Sequence, residues 1–375
     1  MARPLEVTRR QFLQQSAAIA ACTICIPLSG YSKSRGRLSS KEARYYTKLP
    51  DKKVQCKLCP HRCIVRPGKR GNCETRENRD GIYYSLVYGR IATHHKDPIE
   101  KKPFYHFLPG CTAFSIATAG CNVDCKFCQN WELAQRRPDD LPNVAFTPVE
   151  LVHSAKRWNC ETIAFTYNEP TVLNEFVFDV ASEVRNQGLK TVIISNGFIN
   201  EKPLRDLCRV IDAYKVDLKS FSKEYYRDVV GGMLTPVLDT LVTLKSQGVW
   251  TEIVYLTVPT LNDDPTKCKE MVKWIVEELG PDVPVHFSRF YPKYKLKNLP
   301  PTPIATLEKL RNVALDGGLH YVYLGNVPGH SGENTTCPHC RNLIIGRSGY
   351  EIFENRVVNG KCHFCGQEIS GVWEV

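Results

Sequence analysis

Cys121, Cys125 and Cys128 place three thiols in one short loop, Gly120-Cys121-Asn122-Val123-Asp124-Cys125-Lys126-Phe127-Cys128-Gln129-Asn130. A C-x3-C-x2-C array can reach three irons of a 4Fe-4S cluster and leaves the fourth iron a free coordination site. Zinc would require a fourth protein ligand close by; none is near in sequence, although Cys111 or His106 could fold back. The open cluster is therefore preferred to zinc. Near the C terminus, Cys337-Pro338-His339-Cys340 and Cys362-His363-Phe364-Cys365 form two CxxC knuckles of zinc-ribbon or rubredoxin type. Four thiolates close such a site, which favours structural zinc over a single redox iron. Towards the N terminus, Cys56, Cys59, Cys63 and Cys73 offer another four, compatible with a closed zinc site or an auxiliary cluster. Of the 17 cysteines, the rest (Cys22, Cys25, Cys111, Cys160, Cys208 and Cys268) show no ligand pattern.

The elements that must position these loops can be read from periodicity. Short apolar runs at Ser115–Ala119, Thr162–Thr166, Thr191–Ser195, Ala213–Leu218, Thr251–Thr257, Val283–Ser288 and Tyr321–Leu324 alternate with helical patterns. Thr147-Pro148-Val149-Glu150 has the form of a capping box, and Thr235-Pro236 and Asp264-Pro265 open later helices the same way. Strand–helix alternation implies a parallel sheet, and so many units favour an α/β fold, a full or partial (β/α) barrel, over a doubly wound open sheet. Such a barrel keeps its chemistry at the C-terminal strand ends. Glu169, Asn196, Asp217, Lys219 and Asn262 all fall there, with His286 inside the sixth strand. Loop capping explains any one of them singly; their recurrence at one end of successive strands points to a site. The chain thus divides into 1–45, a targeting segment and basic linker; 46–110, a small cysteine-rich module; 111–330, the barrel; and 331–375, a zinc-ribbon-like module, in which Arg347-Ser348-Gly349-Tyr350 reads as a strand turn. The N-terminal quartet leans to structural metal, because none of its residues sits at a barrel mouth.

At 375 residues the chain exceeds the roughly 250–300 at which one core stops growing, so appendages on a large domain are expected. The formal charge of +11 is scattered apart from the Lys33–Lys48 run, so nucleic-acid binding is not expected. Thr8-Arg9-Arg10-Gln11-Phe12-Leu13, followed by the apolar Ser16–Leu28, has the outline of a twin-arginine export signal. The apolar run is shorter than the roughly 18 residues of a membrane span, so no spanning helix is expected.

Together these residues resemble the radical S-adenosylmethionine superfamily. Across about residues 44–375 the chain is most similar to the AmmeMemoRadiSam-type enzymes, relatives of pyruvate formate-lyase activating enzyme. The resemblance is carried by CKLCPHRC (56–63), DPIEKKPFYHFLPG (97–110), CNVDCKFCQNW (121–131), TYNEPT (166–171), SNGF (195–198), VDLK (216–219), VPTLND (258–263), PVHFSRFYP (284–292) and YVYLGN (321–326). Cys111 departs from it, standing where a serine is expected. The resemblance implies that Cys121, Cys125 and Cys128 ligate the cluster while the amine and carboxylate of S-adenosylmethionine occupy the open iron. It places Glu169 at the methionine amine, Ser195 and Asn196 along the cofactor, Asp217 and Lys219 near the ribose and methionyl carboxylate, and His286 nearby, where a buried hydrogen-bonded role competes. The implied reaction uses a reduced cluster, at the low end of a range of about −700 to +450 mV, to cleave S-adenosylmethionine and generate a 5′-deoxyadenosyl radical that abstracts hydrogen from a substrate. The implied partners are a flavodoxin- or ferredoxin-like reductant and a protein or small-molecule substrate. The competing class is a non-catalytic iron–sulfur electron carrier or metal-binding module. Folding and cluster assembly are expected in the cytoplasm, with export to the periplasm afterwards.

Overall fold

The computed structural model describes residues 34, 35 and 38–374; the twin-arginine run, Ser16–Leu28, Cys22 and Cys25 lie outside them. Its central sheet contains β1 (Thr93–Pro98), β2 (Thr112–Ala117), β3 (Thr162–Phe165), β4 (Lys190–Ser195), β5 (Ala213–Asp217), β6 (Trp250–Thr257), β7 (Val285–Arg289) and β8 (Val322–Gly325). These eight strands lie in simple chain order. β1 is antiparallel to β2 and every later pair is parallel. A doubly wound sheet reverses its strand order at a switch point. Here there is none, and no ladder among the described residues joins β8 to β1, so the architecture is a partial, open (β/α) barrel. β1, from the expected cysteine-rich segment, belongs to this sheet because its backbone completes the free edge of β2.

Helices α1 (Pro148–Arg157), α2 (Asn174–Arg185), α3 (Glu201–Cys208), α4 (Leu234–Ser246), α5 (Pro265–Glu278) and α6 (Ile304–Asp316) occupy the crossovers. α1 begins with the full capping box of Thr147 and Glu150, and α5 with Asp264 accepting from the Thr266 amide at 2.8 Å. α4 differs from expectation: it starts at Leu234, with Thr235 and Pro236 inside its first turn and no side-chain cap. Proline is tolerated there because the first-turn N–H groups have no intrahelical partner.

Strand side chains alternate between faces. Outward residues such as Phe165, Ile193, Tyr214 and Val216 pack with Val177, Leu204, Leu241 and Leu244 of the helices. Inward residues Ala164, Val192, Ile194 and Ala213 are small or medium, and the space they leave is filled by Phe104, Phe107 and Leu108 from the DPIEKKPFYHFLPG segment. That plug closes the N-terminal end of the barrel and leaves the C-terminal end open for chemistry. Two three-stranded sheets precede it, Tyr46–Lys48 with Val54–Cys56 and Ile64–Val65, and Lys41–Glu42 with Arg76–Arg79 and Ile82–Ser85. A C-terminal sheet of Thr335–Thr336, Leu343–Ser348 and Glu351–Asn355 follows, and Ser348-Gly349-Tyr350 forms its turn. No helix among the described residues is long and apolar enough to cross a membrane.

Candidate active site

The loop after β2 is gripped at both ends. Asn168 donates to the Gly120 carbonyl at 2.8 Å and Asn130 donates to the Tyr167 carbonyl at 2.7 Å, so the TYNEPT turn fixes the entry and exit of the cysteine run. Between these points the Asp124 and Lys126 amides donate to Val230 and Val229 at 3.0 Å. Cys121, Cys125 and Cys128 thereby line one cleft of about 240 Å³ together with Glu169, Asn196, Asp217 and Lys219. Cys111 packs instead beside the plug. His106 is engaged with the Ser370 carbonyl and the Tyr323 hydroxyl, so neither folds back as a fourth ligand. Among the described residues, no other cysteine lines the cleft.

The charged groups around the thiols are both positive and negative. Glu169 is 1% exposed and accepts from Ser195 Oγ at 2.7 Å, the Thr171 amide at 2.8 Å and the Asn196 amide at 2.9 Å. Burial pushes its pKa up against those donors. Burial, and then the charge of Glu169, push the Cys121 thiol well above its ordinary value. Asn196 bonds Asn122 at 2.9 Å and lies 3.8 Å from Cys121 Sγ. Asp217 pairs with Lys215, and with Lys219 at 2.8 Å; burial opposes its charge, but the two lysines outweigh it and hold its pKa at about 2. Asn262 is a positioning residue: its amide donates to the Lys219 carbonyl at 2.8 Å and the Leu256 carbonyl at 2.9 Å.

His286 lies elsewhere. It donates to Glu252 at 2.7 Å deep in the barrel, stacks on Tyr323 and has its pKa lowered by burial against that carboxylate. It lines an adjoining cavity of about 580 Å³ rather than the cleft itself. The two spaces share Gln129, Leu256 and Ser288 in their walls. Lys215 was not anticipated among the site residues, although its position two before Asp217 on β5 puts both on one face. Tyr167 and Asn168 were likewise legible only as part of the TYNEPT run.

The C-terminal thiols converge: the Sγ atoms of Cys337, Cys340, Cys362 and Cys365 lie within 4.8 Å of one another. Cys337–Cys365 and Cys340–Cys362 are each 3.7 Å apart. Cys56 ends a strand of the N-terminal sheets, Cys59, Cys63 and Cys73 lie in the loops that connect their strands, and none of the four lines the cleft.

Residues 115–272, from β2 into α5, match the family described as the radical SAM superfamily. The uncharacterized protein MJ0808 of Methanocaldococcus jannaschii is 44% identical over 334 residues, 88% of this chain and 98% of that protein. Pyruvate formate-lyase 1-activating enzyme of Escherichia coli K12 is 22% identical over 209 residues, 52% of this chain and 85% of that enzyme. Benzylsuccinate synthase activating enzyme of Thauera aromatica is 28% identical over 102 residues, 27% of this chain and 31% of that enzyme. The family match spans the loop whose three thiols share a cleft with a ring of opposed charges at the strand ends, and the chain belongs to the radical S-adenosylmethionine superfamily.

Proposed function

We propose that Cys121, Cys125 and Cys128 hold a 4Fe-4S cluster whose unique iron takes S-adenosylmethionine, and that the substrate occupies the adjoining cavity. The observation that carries this is the cleft itself: three thiols and, among the described residues, no fourth, beside a paired carboxylate and ammonium groups. When bound, the cluster and cosubstrate supply the 5′-deoxyadenosyl radical, which removes hydrogen from an unreactive C–H bond. The chain's own residues position and enclose. Glu169, buried beside Cys121, offers a carboxylate to the methionine amine; Lys219, held by Asp217, offers a cation to the methionyl carboxylate; Ser195 and Asn196 brace Glu169. Such an arrangement suits a zwitterion carrying an additional positive charge, and its water-poor setting strengthens each interaction. An electron carrier has no use for this polar ring and would close its cluster with a fourth thiolate.

The activating-enzyme relatives support a protein as substrate, and the cavity of about 580 Å³ is large enough for a peptide side chain or loop tip. The C-terminal tetrad fits zinc, because a tetrahedral ion with Zn–S near 2.3 Å sets its sulfurs about 3.8 Å apart. The twin-arginine run supports export after cytoplasmic assembly. In the deciding experiment, anaerobically reconstituted protein with dithionite and S-adenosylmethionine yields 5′-deoxyadenosine and Cys125→Ala does not; equal yields from both refute the assignment.

A further inference from the structure

Among the described residues, only the C-terminal tetrad brings three or more candidate ligand atoms within 4.8 Å of one another. Cys56, Cys59, Cys63 and Cys73 therefore stand further apart than the thiolates of one tetrahedral zinc, as do Cys121, Cys125 and Cys128. They remain a set, since Cys73 and Cys63 both act electrostatically on Cys56 and on Cys59. Cys73 Sγ lies 3.1 Å from the Thr75 hydroxyl, and Cys56 and Cys59 are buried. A wide, preorganised group of four thiols fits an iron–sulfur cube better than a single ion.

Two orphaned donors point the same way. Tyr83 is 1% exposed and its hydroxyl has no partner. A Cβ on Gly71 would meet that hydroxyl at 2.7 Å and Cys63 Sγ at 3.9 Å, so the two face each other across a glycine. Arg76, also 1% exposed, gives its terminal nitrogens to Glu175 at 2.6 and 2.7 Å, while its Nε is unpaired. Both side chains feel the charges of Cys56 and Cys73. Buried donors without partners are costly and rare; the sulfides and thiolates of an anionic cluster would satisfy them.

The quartet also abuts the radical site. A Cβ on Gly120 would meet the Cys73 carbonyl at 2.8 Å and Thr75 Cγ2 at 2.3 Å, and His61 Nε2 lies 2.8 Å from the Asn122 carbonyl. Gly120 and Asn122 are the two chain neighbours of Cys121, each about 3.8 Å from it along the backbone. On the other side, Cys63 is partly exposed and Ile64 is 63% exposed, so the quartet spans from solvent to the Cys121 loop.

We propose that Cys56, Cys59, Cys63 and Cys73 hold a second iron–sulfur cluster, closed by four thiolates, that relays single electrons from an external flavodoxin- or ferredoxin-class donor to the Cys121 cluster. In each transfer the donor is oxidised by one electron, the quartet cluster is reduced and reoxidised, and the Cys121 cluster is reduced; no bond or proton moves. The relay role rests on the function proposed above, whereas the presence of the cluster does not.

The test uses the full chain carrying Cys121→Ala, Cys125→Ala and Cys128→Ala, prepared without oxygen, with metal and sulfide counted and the reduced state examined by electron paramagnetic resonance. The expected result is about four irons, about four sulfides and one zinc per chain, with a signal indifferent to S-adenosylmethionine. About two zincs and no iron overturn the proposal, and the wild-type chain forming 5′-deoxyadenosine alongside would leave the catalytic reading standing. A Cys56→Ser, Cys59→Ser variant separates the relay. Its dithionite-driven yield stays within about twofold of wild type while its flavodoxin-driven yield falls at least about tenfold. Equal loss with both reductants overturns the relay, and the iron count of the triple variant decides the cluster even if the double variant does not fold.

Discussion

Gly120 shows how narrowly the cysteine loop is constrained. Its φ of +88° lies where side chains are strained, and a Cβ would overlap Thr75 and the Cys73 carbonyl. Gly120→Ala should therefore cost more than about 1 kcal/mol and displace Cys121, seen as lower iron occupancy after reconstitution at equal protein. Asp217 carries a different burden, because it separates the buried ammonium group of Lys215 from the partly buried one of Lys219. Asp217→Asn leaves Lys215 and Lys219 without their counter-charge, and removing one member of a buried charge set costs about 3–5 kcal/mol. Urea unfolding should show that loss, and Lys215→Met in the same background should recover part of it by removing one of the stranded charges.

At the scale of elements, the plug between β1 and β2 is held to the barrel by buried polar contacts as well as by Phe104 and Phe107. Glu252 of β6 accepts the Tyr105 and His106 amides at 2.8–3.0 Å and His286 of β7 at 2.7 Å. His106 itself donates to the Ser370 carbonyl at 2.7 Å and accepts from Tyr323, tying the plug to β8 and to the C-terminal segment. Burial lowers the His106 pKa to about 4, against the opposing pull of Glu252 and the Ser370 carbonyl. An unfolded histidine titrates near 6.5, so between these values the unfolded chain binds the extra proton. Stability from this group is complete above about 6.5 and falls as pH drops towards 4, by roughly 3 kcal/mol in all. The His106→Gln variant should show a shallower decline of unfolding free energy over pH 6.5–4 than the wild type; parallel curves would contradict the neutral, buried ring.

Across the whole molecule, the C-terminal thiol tetrad and the packing of the plug are coupled. Cys337 and Cys362 belong to the same buried cluster as Tyr105, Tyr321 and Tyr323, and Arg347 donates to the Tyr105 carbonyl at 2.8 Å. A structural zinc held there would brace the plug from outside the barrel. Cys362→Ser should lose one zinc per chain and lower the melting temperature of the full chain, while the absorbance of the Cys121 cluster survives at low temperature. Loss of zinc with an unchanged melting temperature would show that the sheet stands without the ion.

Local pattern was enough for the cysteine groups and the helix–strand alternation, because thiol spacing and hydrophobic period are properties of short segments. The capping box of α1 and the Asp264 cap of α5 follow from neighbouring residues in the same way, whereas the start of α4 did not, since Leu234 is drawn in by packing rather than by a cap. Chain folding alone decided that the sheet stays open, that β1 joins it, and that Phe104 and Phe107 fill it. It alone separated His286 from the cleft, brought Lys215 to Asp217, and set the N-terminal quartet against Gly120. Apart from Lys215 and Asp217, which strand alternation already puts on one face, those are contacts between residues tens to hundreds of positions apart, and only the burial of side chains from several elements into one space can specify them.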